Sequence, residues 1–215
     1  MSIAGQSERE RDTMRKKAVD AAERLFFSNG YENVSLDKIA DGAGFDKLTL
    51  SFYFKDAEAV FYAVAVRGAG ILHRLHAAGS PLDTSGIEKV LTWVRVSHEF
   101  SDKYPDYFRM LGQAEAKRCD LSGIEDAIEI VNLLNRILIM LIEAIKMGMD
   151  DGSIRKDLDP RETAILIALM QTSVLRLDHG RKTLLDDMKI DGDRFAYDFR
   201  YFVARAIANG LRTYS

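Results

Sequence analysis

Cysteine occurs once in this 215-residue chain, at Cys119, so no internal disulfide can brace the fold. Cys119 lies in the polar run AKRCDL and reads as a spare thiol rather than a catalyst. Proline is nearly as scarce, with three in all, at 81, 105 and 160, so long helices can run uninterrupted. Alternating stretches rich in Val, Ile and Thr are missing, which removes the usual signal for strands. The apolar run Ile137 to Ile142 is stopped by Glu143 and is far too short to cross a bilayer. The opening stretch MSIAGQSERERDTMRKK holds no apolar core of a signal peptide, so a cytoplasmic protein without a membrane partner is expected. An excess of positive charge is also absent. The net charge of -3 argues against a surface coated for nucleic acid, yet leaves room for a local basic patch.

Catalytic patterns are missing as well. No Ser/His/Asp order, paired-carboxylate arrangement or Gly-rich phosphate loop is legible, so no enzyme is expected. His73 and His76 share one helix face at i, i+3, but no Cys or carboxylate pair completes a metal set. No metal or cofactor is expected.

Apolar residues instead repeat at three- and four-residue spacing almost throughout, which predicts an all-α fold. Ser7 to Glu10, Ser85 to Glu88 and Ser122 to Glu125 fit the capping box, and Asp159-Pro160 places Pro at a first helical position. Asn29-Gly30, Gly79 to Pro81 and Asp151-Gly152 mark stops. About nine helices follow: 8–29, 35–42, 46–53, 56–78, 85–102, 104–118, 122–149, 160–179 and 192–212. The first three are compact and closely spaced, and the later ones are long. A division near residue 55 is expected, with a three-helix domain at 1–55 and a larger helical domain at 56–215.

Residues 35–50 carry the sharpest local pattern. Ser35 can cap a helix whose inner face is Leu36, Ile39 and Ala40. Gly44 stands where the chain must turn, with Phe45 beneath it and Asp46 as the next cap. Leu50, Tyr53 and Phe54 then return to the core. Short helix, Gly-bearing turn and second helix make a helix-turn-helix. At about 100° per residue, Lys47, Leu48, Ser51, Phe52 and Lys55 fall on the outer side of the second helix. Lys47 and Ser51 can donate to base edges or phosphate, while Leu48 and Phe52 can pack on thymine methyls. A partner surface, or packing against the first helix, are equal alternatives for Leu48 and Phe52. Thr49 and Tyr53 can offer hydroxyls to phosphate.

Residues 15–60 resemble the N-terminal domain of a TetR-family transcriptional regulator. The resemblance rests on Ala21-Ala22, Leu25-Phe26, Gly30-Tyr31, Ser35-Leu36, Ile39-Ala40, Ala43-Gly44, Thr49-Leu50, Tyr53-Phe54 and Glu58. It implies a DNA-facing set of Ser35, Lys38, Lys47, Leu48, Thr49, Ser51, Phe52, Tyr53 and Lys55, and a body that binds a small molecule and dimerises. Three positions depart from the family pattern. Leu48 replaces a small residue, Ser51 a DNA-contacting Tyr, and Ala57 a phosphate-holding Lys. Residues 1–60 hold nine basic and eleven acidic groups, a balance of -2, which predicts a weak grip on phosphate.

The body supplies candidates for a ligand site: Trp93, His98, Phe100, Tyr104, Phe108, Met140, Met170 and Arg176. They combine aromatic and adaptable apolar surface with a few polar groups. The apolar stretches 164–170 and 195–211, with small Ala204, Ala206, Ala208 and Gly210, predict a two-fold, four-helix contact in a homodimer. The expected function is a ligand-responsive regulator, in this family most often a repressor released from a palindromic DNA operator by a small molecule. The alternative is a ligand- or partner-binding protein of the same fold with weakened or lost DNA binding.

Overall fold

Glu8 and Glu10 open the first helix, α1 (Glu8–Asn29), where acidic side chains suit the helix dipole. In the computed structural model, which describes residues 8–79, 83–116, 125–180 and 182–210, the order continues with a 3₁₀ turn (Tyr31–Asn33), α2 (Leu36–Ala43), α3 (Lys47–Ser51), α4 (Ala57–Gly79), α5 (Gly86–Lys103), α6 (Pro105–Ala116), α7 (Glu125–Asp151), α8 (Pro160–Gly180), α9 (Lys182–Asp187) and α10 (Gly192–Ile207). The fold is all-α among the described residues, with one isolated bridge, Ile154 to Ala208. No described helix is long and apolar enough to cross a membrane.

Three boundaries differ from the sequence expectation. The helix expected at 46–53 ends at Ser51, because Phe52 and Tyr53 donate to carbonyls three residues back (3.3 and 3.0 Å) and tighten the last turn. The helix expected at 192–212 ends at Ile207, whose carbonyl accepts from Arg155 N–H (3.0 Å) while Asn209 N–H donates to Ser153 (3.1 Å). Helix α9 lies in a stretch expected as a loop, so ten α-helices are described rather than nine. Ser7, Cys119, Ser122 and Leu211 lie outside the described residues.

The chain divides into two units. One comprises Met1–Ala69 and Arg109–Val131, and the other Gly70–Phe108 and Asn132–Ser215. In the first, Ala18, Ala21, Ala22 and Phe26 of α1 are buried with Ile39 and Ala40 of α2, Leu50 of α3 and Phe61 of α4. The ring of Phe61 lies 4.5 Å from Tyr31 and 6.4 Å from Phe26, so the 3₁₀ turn is pinned by aromatic contact. Arg67 on α4 holds α1 through Asp20 (2.7 Å) and Glu23, and Arg15 on α1 reaches Asp126 on α7 (2.6 Å).

The second unit is built on α5, α7, α8 and α10. Ile87, Val90, Leu141, Ile145, Ile167, Leu175, Phe199 and Val203 form its core. Ser85 and Glu88 complete the expected capping box at α5. Beside it Gly86 N–H donates to Asp151 Oδ2 (2.7 Å), and Ile87 N–H donates to Ser153 Oγ (3.2 Å). The backbones touch there. A Cβ built on Gly86 would stand 2.0 Å from Gly148 N, so only glycine fits. Of the small residues expected to line a subunit contact, Ala204 is buried within this unit, and Ala208 and Gly210 follow the end of α10. The large apolar side chains left exposed on α8 and α10 are Ile165, Leu166, Leu169 and Met170 of α8 and Tyr197 and Phe202 of α10.

Candidate functional site

The turn between α2 and α3 forms as its residues dictate. Ser35 Oγ accepts from Lys38 N–H (3.3 Å) and starts α2. Gly44 takes a left-handed conformation (φ 73°, ψ 33°) that is cheap only without a Cβ. Gly44 N–H then donates to Asp41 (3.1 Å) and Phe45 N–H to Ala40 (2.9 Å), which ends α2 in a Schellman motif. Asp46 Oδ1 accepts from Thr49 N–H (2.7 Å) and starts α3. That bond, with a second from the Thr49 hydroxyl, holds the Asp46 carboxyl below the usual carboxylate range. Leu50 and Phe54 are buried beneath, and Arg15 sits 5.2 Å over the Phe54 ring.

The outward face of α3 is mostly apolar. Leu48 is 75% exposed and Phe52 66%, so neither packs against α1. The polar residues beside them already have partners. Lys47 Nζ pairs with Asp37 at 2.8 Å, and both side chains are exposed. Ser51 Oγ donates to the Leu48 carbonyl (2.7 Å), and Thr49 Oγ1 to Asp46 Oδ2 (3.0 Å). Lys38 Nζ donates to the Asn33 carbonyl (3.0 Å). Tyr53 is half-buried, and Lys55 is exposed. Of the expected DNA-facing set, α3 and the residues just after it gather Lys47, Leu48, Thr49, Ser51, Phe52, Tyr53 and Lys55, while Ser35 and Lys38 stand at the start of α2.

The second unit contains a cavity of about 460 Å³. It is lined by His76 and Ala77 of α4, by Lys89, Thr92, Trp93 and Val96 of α5, and by Ile139, Met140, Glu143, Ala144 and Met147 of α7. Trp93 is fixed on two sides. Its indole N–H donates to the Ile137 carbonyl (3.2 Å), and its ring lies 5.1 Å from that of His76. His76 is 5% exposed. Burial, and then the charge of His73, pull its pKa from 6.5 to about 4, so the ring is neutral near pH 7. Ser97 Oγ donates to the Trp93 carbonyl (3.1 Å), which leaves its oxygen to accept from His76 Nε2–H (3.3 Å). The walls therefore offer apolar surface, one neutral imidazole, the Lys89 ammonium, and a Glu143 carboxylate that accepts from Lys146 (2.8 Å).

Among the expected ligand residues, Trp93 and Met140 line this cavity. The others stand apart from its lining. His98 pairs with Asp102 (3.5 Å). Phe100 is buried 5.6 Å from the Tyr104 ring. Phe108 packs on the core, and Met170 and Arg176 lie exposed on α8. Sequence reasoning missed Lys89, Thr92, Val96 and Ile139. The first three share the Trp93 face of α5 at helical spacing, a signal that could have found them. Among the described residues no group of three metal-ligating side chains occurs.

Residues 18–64 match the family model for bacterial regulatory proteins of the tetR family. No curated protein matches the chain. Solved structures share its fold at low identity. The fatty acid degradation regulator FadR from Bacillus halodurans is 22% identical with a TM-score of 0.63, covering 92% of this chain and 96% of its own. The ketosteroid transcriptional regulator KstR2 of Mycobacterium tuberculosis is 17% identical with a TM-score of 0.65, covering 97% and 100%. A regulatory protein in the tetR family from Rhodococcus RHA1 is 16% identical with a TM-score of 0.70, covering 96% and 100%.

Proposed function

We propose that this chain, which belongs to the TetR family through its residues 18–64, is a ligand-responsive DNA-binding repressor that acts as a homodimer on a palindromic operator. Residues 1–55 serve as the DNA-binding domain, and 56–215 bind the ligand and the second subunit. The observation that carries the reading is the turn at Gly44, which seats a capped helix with Leu50 inward and Lys47, Leu48, Ser51 and Phe52 outward. That is how a helix-turn-helix presents a recognition helix to the major groove. Two such helices, about 34–36 Å apart in a dimer, span one turn of DNA.

The dimer reading is supported by the exposed Ile165, Leu166 and Leu169 of α8 and Phe202 of α10. A patch of this kind on a helix pair suits a two-fold contact. The ligand reading is supported by the cavity around Trp93 and His76. Its size and mostly apolar walls suit a small apolar molecule with one polar end. The names of two fold relatives, a fatty acid degradation regulator and a ketosteroid regulator, concern apolar metabolites. Ligand releases DNA only if it binds the DNA-incompetent state more tightly.

A mobility-shift assay with the ligand-free chain and the DNA flanking its own gene tests the reading. A shift at low salt is expected, and no shift would refute it. One observation favours a second reading, a ligand- or partner-binding protein without DNA activity. The Lys47 charge on α3 is already paired with Asp37 in a unit with more acidic than basic groups at 1–60. A chain that binds ligand but shifts no DNA would fit that reading.

A further inference from the structure

Among the described residues up to Ala69, Leu48 and Phe52 are the large apolar side chains most open to solvent. They stand four residues apart on one side of α3, because Phe52 keeps helical angles (φ -75°, ψ -23°) past the helix end. Four residues advance ~6 Å along a helix, between one and two base-pair rises of about 3.4 Å. The side-chain donors of α3 itself are engaged within the protein. The Ser51 and Thr49 hydroxyl protons go to Leu48 and Asp46, and the Lys47 ammonium goes to Asp37. In the major groove, the thymine C5-methyl is the apolar group that distinguishes one base pair from another.

On the reading above that α3 enters the major groove, we infer that this protein reads its operator chiefly through thymine methyl groups, which Leu48 and Phe52 cover at two positions of each half-site. Cytosine in the same place would leave a methyl-sized gap and press its N4 donor against an apolar side chain. Guanine would leave O6 and N7 without a donor. DNA is the occupant this surface suits. The pair is followed by exposed Lys55, whose charge complements a polyanion, and two side chains fall far short of the ~800 Å² that a stable protein partner covers.

The test begins with a duplex selected from random sequence by the full-length chain at low salt. Its thymines are then replaced one at a time by uracil, which removes only the methyl. Affinity should fall about fourfold, the worth of one buried methyl, at two positions per half-site. Leu48→Ala and Phe52→Ala should each weaken binding to the thymine duplex and erase the uracil effect at one of those positions. Both side chains are exposed, so the variants should keep the parent's circular dichroism. A bound duplex with a flat uracil scan overturns the inference and leaves DNA binding standing, as does a uracil effect unchanged in both variants. Failure to select any duplex overturns the DNA reading and this inference with it.

Discussion

Acid should weaken this protein through His76. The ring is buried against Trp93, and its folded-state pKa is about 4 against an ordinary 6.5. Burial is the main cause, followed by the positive charge of His73 one turn earlier; Lys89 and Glu143 line the same cavity. The sign follows from proton binding. Between the two values the unfolded chain takes up a proton that the folded chain refuses, so stability falls as pH falls. The contribution is fully present above pH 6.5 and is lost progressively down to about pH 4, with nothing further to lose below. A difference of about 2.5 units at 1.36 kcal/mol per unit gives about 3 kcal/mol, a large part of a typical domain's 5–15 kcal/mol.

Urea unfolding of the full chain at fixed protein concentration, between pH 4 and 7.5, measures the effect. His76→Gln cannot titrate. The other titratable groups are common to both proteins, so the difference between wild type and variant isolates His76 to first order. That difference should stay flat above pH 6.5 and move against the wild type by about 3 kcal/mol on the way to pH 4. Parallel curves would refute the account of a buried neutral ring.

Other substitutions probe the second unit. Gln171 on α8 is 2% exposed, and neither its amide nitrogen nor its oxygen has a partner among the described residues. Gln171→Met keeps the shape and removes an uncompensated polar burial, so it should raise stability by about 1–3 kcal/mol in a thermal melt; a lower Tm would mean that water or ligand satisfies the amide. Gly86→Ala should cost more than Gly148→Ala in urea unfolding. A Cβ at Gly86 meets the α7 backbone at 2.0 Å, whereas one at Gly148 meets the movable Ile154 side chain at 2.5 Å. Overpacking of this kind typically costs about 1–3 kcal/mol, and equal losses would refute the ranking.

The helices were legible because their boundaries are written in local chemistry. Ser35, Gly44, Asp46, Ser85 and Asp191 each act within three residues of their own position, and a linear reading captures such effects. The end of α10 was not legible, because Ile207 stops where Arg155, from a distant turn, takes its carbonyl. The cavity was half legible for a similar reason. Trp93 and Met140 advertise themselves by residue type, but Lys89 and Ile139 line it only because α5 and α7 face each other around it. Tyr104 and Phe108 look equally suitable in sequence and are placed elsewhere by the turn into α6.

The grip on phosphate can be bounded by following each cation. Of the nine basic groups in residues 1–60, Arg15 is held by Asp126, Lys47 by Asp37, and Lys38 by the Asn33 carbonyl. Arg9 and Arg11 alternate with Glu8, Glu10 and Asp12, which offset them locally. Lys16, Lys17, Arg24 and Lys55 are left to meet phosphate. Four per protomer make eight in the proposed dimer. At about 0.9 per phosphate, the logarithm of affinity should fall with the logarithm of salt at a slope no steeper than about -7. A titration of the selected duplex against potassium chloride measures it. A steeper slope would show that Lys38 also meets phosphate, or that Arg15 or Lys47 abandons its carboxylate for DNA. Exposed pairs such as Lys47 with Asp37 contribute little to stability, so Asp37→Asn separates the cases. It should strengthen binding and steepen the slope by up to about 2 if its loss frees Lys47 in both protomers, and should leave the slope unchanged if Lys47 already binds phosphate.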